Sequence, residues 1–160
     1  MAGNKKNNEP NDGLLTNNRK ALHDYIVLEQ YEAGIQLAGT EVKSCRARSI
    51  VMQDSYVHFE RGEAYVMNLH ISVYAQGSIF NHQPQAKRKL LLHGAEIRKL
   101  AQTLQEKGGT VIPLKMYLVK GLIKMEIAYC KGKNVADKRE TMREEQDKRD
   151  MDRAIRNARR

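Results

Sequence analysis

Along most of this chain apolar residues recur at every second position, and one segment shows helical spacing clearly. Tyr31, Ala33, Ile35 and Leu37 fall two apart, which gives an extended segment from Tyr25 to Leu37 one apolar face. Glu32 and Gln36 point the other way. Gly34 interrupts this strand, where a residue without a side chain suits a bulge, a bend or a close approach by another backbone. Gly39 ends it. Thr40 is placed to cap a short helix over about Thr40 to Ala47, with Val42 and Cys45 on its apolar face and Lys43 and Arg46 on its polar side. Ser55 to Phe59 alternates again, Arg61-Gly62 turns the chain, and Ala64 to Leu69 returns. Ile97, Leu100, Ala101 and Leu104 make a helical stripe that Gly108-Gly109 stops. Leu114, Met116 and Leu118, then Ile123, Met125 and Ile127, predict a hairpin turning at Lys120-Gly121. Pro113 suits a strand start or an edge.

Five or more short strands, partly as hairpins, with two helices predict a mainly β fold: a small antiparallel barrel of the oligonucleotide-binding (OB) type with flanking short helices. A flat antiparallel sheet with helices on one face is the structural alternative. Three regions follow from the pattern. Residues 1–16 hold Asn, Lys, Gly and Pro with little to bury and are expected to be disordered. Residues 17–130 form the barrel domain. Residues 131–160 are a basic C-terminal tail, expected to be disordered when free and helical when bound to a polyanion. Within the domain, Ser72 to Arg88 reads as a long polar loop, a length that marks function or flexibility.

Charge narrows the partners. The 160 residues carry 28 Lys/Arg and 19 Asp/Glu, a formal net charge of +9, which favours RNA, DNA or an anionic surface. The basic residues cluster at Arg19-Lys20, at Lys43-Arg46-Arg48, at Lys87-Arg88-Lys89 and in the tail. Tyr25, Tyr31, Tyr56, Tyr74 and Tyr117 are candidates to stack on bases or to fill the barrel. In the tail, 11 Lys/Arg and 7 Asp/Glu stand with no aromatic residue. There Glu144/Lys148, Glu145/Arg149 and Asp152/Arg156 have the spacing of helical ion pairs, and Met151, Ala154, Ile155 and Ala158 make a short apolar stripe.

Chemistry finds little purchase. The five histidines stand apart from one another and from Cys45 and Cys130 at no metal-ligand spacing, so no metal and no cofactor is expected. No nucleophile-elbow, P-loop or dinucleotide motif occurs. Asp54 and Glu60 are the carboxylates that a nuclease reading needs, and nothing in the sequence places them together. No apolar run approaches the roughly 20 residues of a membrane span, and Met1 to Lys6 lacks a signal-peptide core, so a cytoplasmic, non-enzymatic protein is expected.

Several blocks together resemble the SmpB family, the bacterial proteins that bind transfer-messenger RNA. They are Asn18-Arg19-Lys20-Ala21 with His23-Asp24-Tyr25, Glu32-Ala33-Gly34, Gly39-Thr40-Glu41-Val42-Lys43-Ser44, Asp54-Ser55-Tyr56-Val57, Arg88-Lys89-Leu90-Leu91-Leu92, and Lys131-Gly132-Lys133 with Asp137-Lys138-Arg139. The resemblance implies an OB-like barrel that binds the tRNA-like domain of that RNA and works with elongation factor Tu. It implies a tail that becomes helical in the vacant decoding site and message channel of stalled ribosomes, enabling trans-translation and tagging of the nascent chain. It also implies RNA contacts at His23, Glu32, Leu91 and Lys124; charge adds Arg19, Lys20, Lys43 and Lys89. For the tail it implies decoding-site contacts at Asp137-Lys138-Arg139, to which charge adds Lys131, Lys133, Arg143, Lys148, Arg149 and Arg153. One departure stands out: relatives often carry an aromatic residue or histidine where this chain has Ala136, which shifts the contact onto Lys138 and Arg139. The alternative reading is a generic single-stranded RNA-binding or cold-shock-like barrel.

Overall fold

The computed structural model describes residues 13–77 and 81–159. Nine strands and four helices follow in the order β1 (Leu14–Asn17), α1 (Arg19–Asp24), β2 (Tyr25–Ile35), α2 (Gly39–Arg46), β3 (Ile50–Val51), β4 (Tyr56–Glu60), β5 (Glu63–Met67), β6 (His70–Ile71), β7 (Arg88–Leu91), α3 (Gly94–Lys107), β8 (Thr110–Val119), β9 (Leu122–Gly132) and α4 (Val135–Ala158). Seven strands make one antiparallel sheet in the order β1-β8-β9-β2-β7-β5-β4, and β3 pairs with β6 beside it. The sheet curls until β4 packs near β8. The hydrogen-bonded ladder itself leaves β1 and β4 as edges. This is the mainly β, OB-like fold expected, curled around one core rather than flat.

Strand alternation sets the two faces. Ala33 and Ile35 of β2, Met116 of β8, and Ile123, Met125, Ile127 and Tyr129 of β9 point inward with Val57, Val66 and Leu90. Leu100 and Ile97 of α3 join that core, and Lys99 reaches Glu29 of β2 at 3.4 Å. The opposite face is covered at one end only. There Ala21 of α1 packs on Ile112, Leu114, Ala128 and Cys130. Cys45 belongs to the inner core and Cys130 to this second cluster; burial pushes their thiols up to about 12 and about 11. They act as small apolar fillers.

Turn chemistry agrees with the sequence at two positions. Lys120 and Gly121 take φ of 49° and 78°, the paired positive values of a tight hairpin turn. Gly108 and Gly109, at φ 68° and 89°, end α3; a Cβ at Gly109 would lie 2.7 Å from the Cys130 carbonyl oxygen. The same glycine pair therefore stops the helix and lets β8 start hard against β9.

Several expectations need correction. Of the N-terminal segment expected to be disordered, residues 1–12 lie outside the described residues, but Leu14–Asn17 is a strand paired with β8. Arg19 to Asp24, which the alternation leaves unassigned ahead of the Tyr25 strand, is a helix capped by Asn18. The buried Asn18 side chain accepts from the Ala21 N–H at 3.2 Å and donates to the Pro113 carbonyl at 3.1 Å. Pro113 sits at a bulge where β1 has already ended, so its missing N–H costs no ladder bond. Gly34 is not a bulge: β2 runs through it, and the irregularity falls between Val27 and Glu29. Thr40 does not cap α2; it meets Nδ1 of His82 at 2.9 Å, and Glu41 accepts the Ala38 N–H at 2.8 Å. Arg88 leaves the basic surface cluster altogether and is a buried residue of the core.

Candidate nucleic-acid interface

The uncovered half of the outer face carries the residues of interest. Ladder register aligns Tyr117 of β8, Lys124 of β9, Gly34 of β2 and Leu91 of β7 in one row across four strands. The next row on the same face holds Lys115, Glu126 and Glu32. Three of the predicted contacts, Glu32, Leu91 and Lys124, are thus brought together from strands far apart in sequence. Lys89 follows on the same face of β7, two residues from Leu91, and pairs with Glu63 at 3.2 Å.

Local bonds order this face. The Tyr117 hydroxyl donates to Glu32 Oε2 at 2.5 Å. Lys115 pairs with Glu126 at 3.0 Å, and its ammonium stands 5.5 Å from the Tyr117 ring centre. Desolvation first, then the bond to Glu32, holds the Tyr117 phenol well above its ordinary range, so it stays a donor. Glu32 and Glu126 face each other across the β2–β9 ladder, a like-charge pair that Tyr117 and Lys115 separately relieve. Leu91 is 55 % exposed although it follows the buried Leu90 and precedes the half-buried Leu92.

The remaining predicted residues lie elsewhere. Arg19, Lys20 and His23 are on α1, at the covered end of the face. Tyr25, where β2 leaves α1, is seven residues from Glu32, roughly 20 Å along the strand at ~3.3 Å per residue. Lys20 pairs with Asp54 at 3.1 Å beside a cleft of about 390 Å³ lined also by Asp24, Tyr25 and Tyr56. Arg19 and His23, one helical turn apart, share another side of α1. Lys43 stands 5.3 Å over the Tyr74 ring and is outside the row. Asp54 and Glu60 lie at opposite ends of β4, each bound to its own cation, Lys20 and Lys87, so they do not converge as a nuclease pair. Among the described residues no group of His, Cys, Asp or Glu is arranged to hold a metal, and no helix is long and apolar enough to cross a membrane.

Of the five candidate stacking tyrosines, three are half-buried and engaged by neighbours within the protein. Tyr25 and Tyr31 pack on the clusters, and Tyr117 is bonded to Glu32. Tyr74 lies under Lys43, and Tyr56 is exposed. Sequence reading missed the pairing of Tyr117 with Glu32 and the placement of Gly34 opposite Leu91. The available signal was a lone glycine inside an otherwise regular alternation.

The tail begins where β9 ends. Asn134 caps α4 by accepting the Asp137 N–H at 2.8 Å, and Asp137 reaches back to the Asn134 N–H at 3.3 Å. Lys133 donates to the Leu22 carbonyl at 3.2 Å and to the Thr141 hydroxyl at 3.0 Å, and Lys138 lies 3.5 Å from Asp24. Lys133 and Lys138 therefore fasten the root of α4 to α1, while Asp137 closes the cap at Asn134. Lys131, Arg139, Arg143, Lys148, Arg149 and Arg153 are exposed, and α4 buries none of its residues. The three spaced pairs expected in the tail do not close; Arg153 instead approaches Asp150 at 4.0 Å, and Gln146 bonds Asp150.

The root responds to acid. A hydrogen bond from His23, then Lys138, hold the Asp24 carboxyl below its ordinary value. A carboxylate lowered on folding contributes stability above its unfolded value of about 3.9 and loses it as pH falls through the folded value. Acidification below about pH 4 should therefore loosen α1 from the α4 root, seen as a lower protection factor for the Lys133 amide, which donates to the Asp24 carbonyl. Asp24→Asn should flatten that response; an unchanged response would remove Asp24 from this role.

Comparison with known proteins covers body and tail alike. The family model described as SmpB protein matches residues 15–157. An SsrA-binding protein of Ligilactobacillus salivarius is 49% identical over 149 residues, 93% of this chain and 96% of that protein. One of Nostoc sp. is 52% identical over 145 residues, 90% and 94% of the two chains. A solved structure described as "tmRNA-SmpB: a journey to the center of the bacterial ribosome" matches with a TM-score of 0.64 at 47% identity, covering 75% of this chain and 85% of that one. Because the match runs unbroken from the edge strand β1 almost to the end of α4, the chain belongs to the SmpB family.

Proposed function

We propose that this protein binds the tRNA-like domain of transfer-messenger RNA through the outer face of its barrel. Its tail acts in the vacant decoding site and message channel of a stalled ribosome, so that trans-translation frees the ribosome and tags the nascent chain for proteolysis. The observation that carries this reading is about half identity, over nearly their whole length, to proteins named for binding SsrA, which is transfer-messenger RNA. The grouping of Glu32, Leu91 and Lys124 in two adjacent rows of one face supports it from the structure. The protein works as a binding adaptor rather than an enzyme, in the cytoplasm, with elongation factor Tu in the delivery complex.

In this reading His23, Glu32, Leu91 and Lys124 contact the RNA, and Arg19, Lys20, Lys43 and Lys89 lie along its phosphates. Arg139, Arg143, Lys148, Arg149 and Arg153 meet the ribosome directly. Lys131, Lys133, Asp137 and Lys138 meet it where the tail joins the body. Titration with the tRNA-like domain against an equal-length control RNA tests the proposal. Preference for the tRNA-like domain is expected, and equal affinity would defeat it in favour of a sequence-tolerant barrel. If about six phosphates are engaged, affinity should fall some thousandfold between 50 and 200 mM salt. A flat salt response would remove the phosphate contacts from the account.

A further inference from the structure

Resting on that reading, we propose that Gly34 and Tyr117 build a seat for a single RNA nucleobase on the outer face, with Leu91 against the base face and Glu32 at its edge. Neither Gly34 nor Tyr117 touches the RNA in this arrangement; each positions a neighbour that does.

Gly34 acts on Leu91. The two face each other across the β2–β7 ladder. A Cβ at Gly34 would lie 3.2 Å from Leu91 Cβ and 3.4 Å from its Cδ1. The leucine side chain therefore leans over the bare backbone of β2, toward Lys124 on the far side of the same row. The result is an exposed apolar plate with a cation beside it. A flat ring can lie on that plate while its phosphate meets Lys124. A Cβ at position 34 would force Leu91 to give by a few tenths of an ångström, displacing it from this pose over β2. Gly34 is in ordinary extended backbone within a regular ladder, so space rather than conformation requires the glycine here.

Tyr117 acts on Glu32. Its ring reaches diagonally over β9 from the Lys124 row to the Glu32 row, and its hydroxyl fixes one carboxylate oxygen. The other oxygen has no protein partner among the described residues. An ionised carboxylate only accepts hydrogen bonds. It therefore selects a base edge that presents donors, such as an exocyclic amine or a ring N–H, and rejects an edge of acceptors alone. The spacing fits: residues two apart on a strand are ~6.6 Å apart. A ring centred over Gly34 spans that with its own half-width and a hydrogen bond of ~2.9 Å.

The test is a double-mutant cycle on the full-length protein, read as affinity for the tRNA-like domain. Tyr117→Phe should weaken binding roughly tenfold, as loss of a bond to a charged group does. It should cost nothing further in a Glu32→Gln background, and the cooperative unfolding transition should be retained. Gly34→Ala should weaken binding in the wild type and have no added effect on Leu91→Ala. Replacing RNA nucleotides one at a time should reveal one position whose donor-edge preference is lost in Glu32→Gln and reduced in Tyr117→Phe. Additive effects, or variants that bind like wild type, would overturn the seat while the wild type still preferred the tRNA-like domain. Loss of that preference in the wild type would instead defeat the proposed function itself.

Discussion

Arg88→Ala is expected to lower the unfolding free energy by about 3–5 kcal/mol, read as a fall in the urea midpoint. The guanidinium is 3% exposed and holds four acceptors. Its Nε donates to Glu41 Oε1 at 2.7 Å and one terminal nitrogen to the Leu69 carbonyl at 2.6 Å. The other terminal nitrogen donates to the carbonyls of Gln83 and Pro84, at 3.2 and 3.0 Å. One side chain thus ties α2, the chain after β5 and the long loop before β7. Removing it leaves the Glu41 carboxylate buried without its counter-charge, and an unpaired buried ion costs more than the pair contributes. Arg88→Lys keeps the charge without the planar fork and should fall between wild type and alanine. Arg88→Met with Glu41→Leu should recover much of the loss, because both charges leave together. A loss below about 1 kcal/mol for Arg88→Ala would mean that water or a relaxed loop satisfies Glu41 instead.

The second large effect is functional and belongs to the tail. A chain ending at Lys133 should bind the tRNA-like domain within about threefold of wild type, yet give only background tagging on stalled ribosomes. The electrostatic reason is in the charge count: nine basic and seven acidic residues leave, a net of +2 out of the chain's +9. Long-range attraction to RNA therefore stays with the body. The packing reason is that α4 buries no residue, so its removal exposes no core. Its apolar residues, Met151 at 65% and Ile155 at 47% exposure, have no partner surface on the body. A helix of 24 residues held to the body only at its root keeps its shape weakly beyond that point, which suits a segment whose binding surface is on another particle. Loss of RNA binding together with tagging would contradict this division between body and tail.

How legible this was in the sequence depends on the range of the interaction. Alternation at Ala33 and Ile35 and at Ile123, Met125 and Ile127, the helical stripe of Ile97 and Leu100, and the turns at Gly108-Gly109 and Lys120-Gly121 are consequences of neighbours along the chain. They gave strands, helix and hairpin directly. The resemblance blocks gave the family, and comparison bears that out. Residue types alone misled where a polar side chain has a buried task. Arg88 read as part of a basic surface cluster, and folding turns it inward to bind main-chain carbonyls, as it does its uncharged counterpart Asn18.

Thus the chain's own order of apolar and polar residues determined the strands, the inward faces and the excess of positive charge. Only the tertiary structure decided which strands lie side by side. That decision sets Leu91, Gly34, Lys124 and Tyr117 in a single row and puts Tyr117 within reach of Glu32, 85 positions away. Periodicity tells each strand which face to bury, but it carries no information about the partner across the ladder. Register is fixed by the whole sheet closing on its core at once.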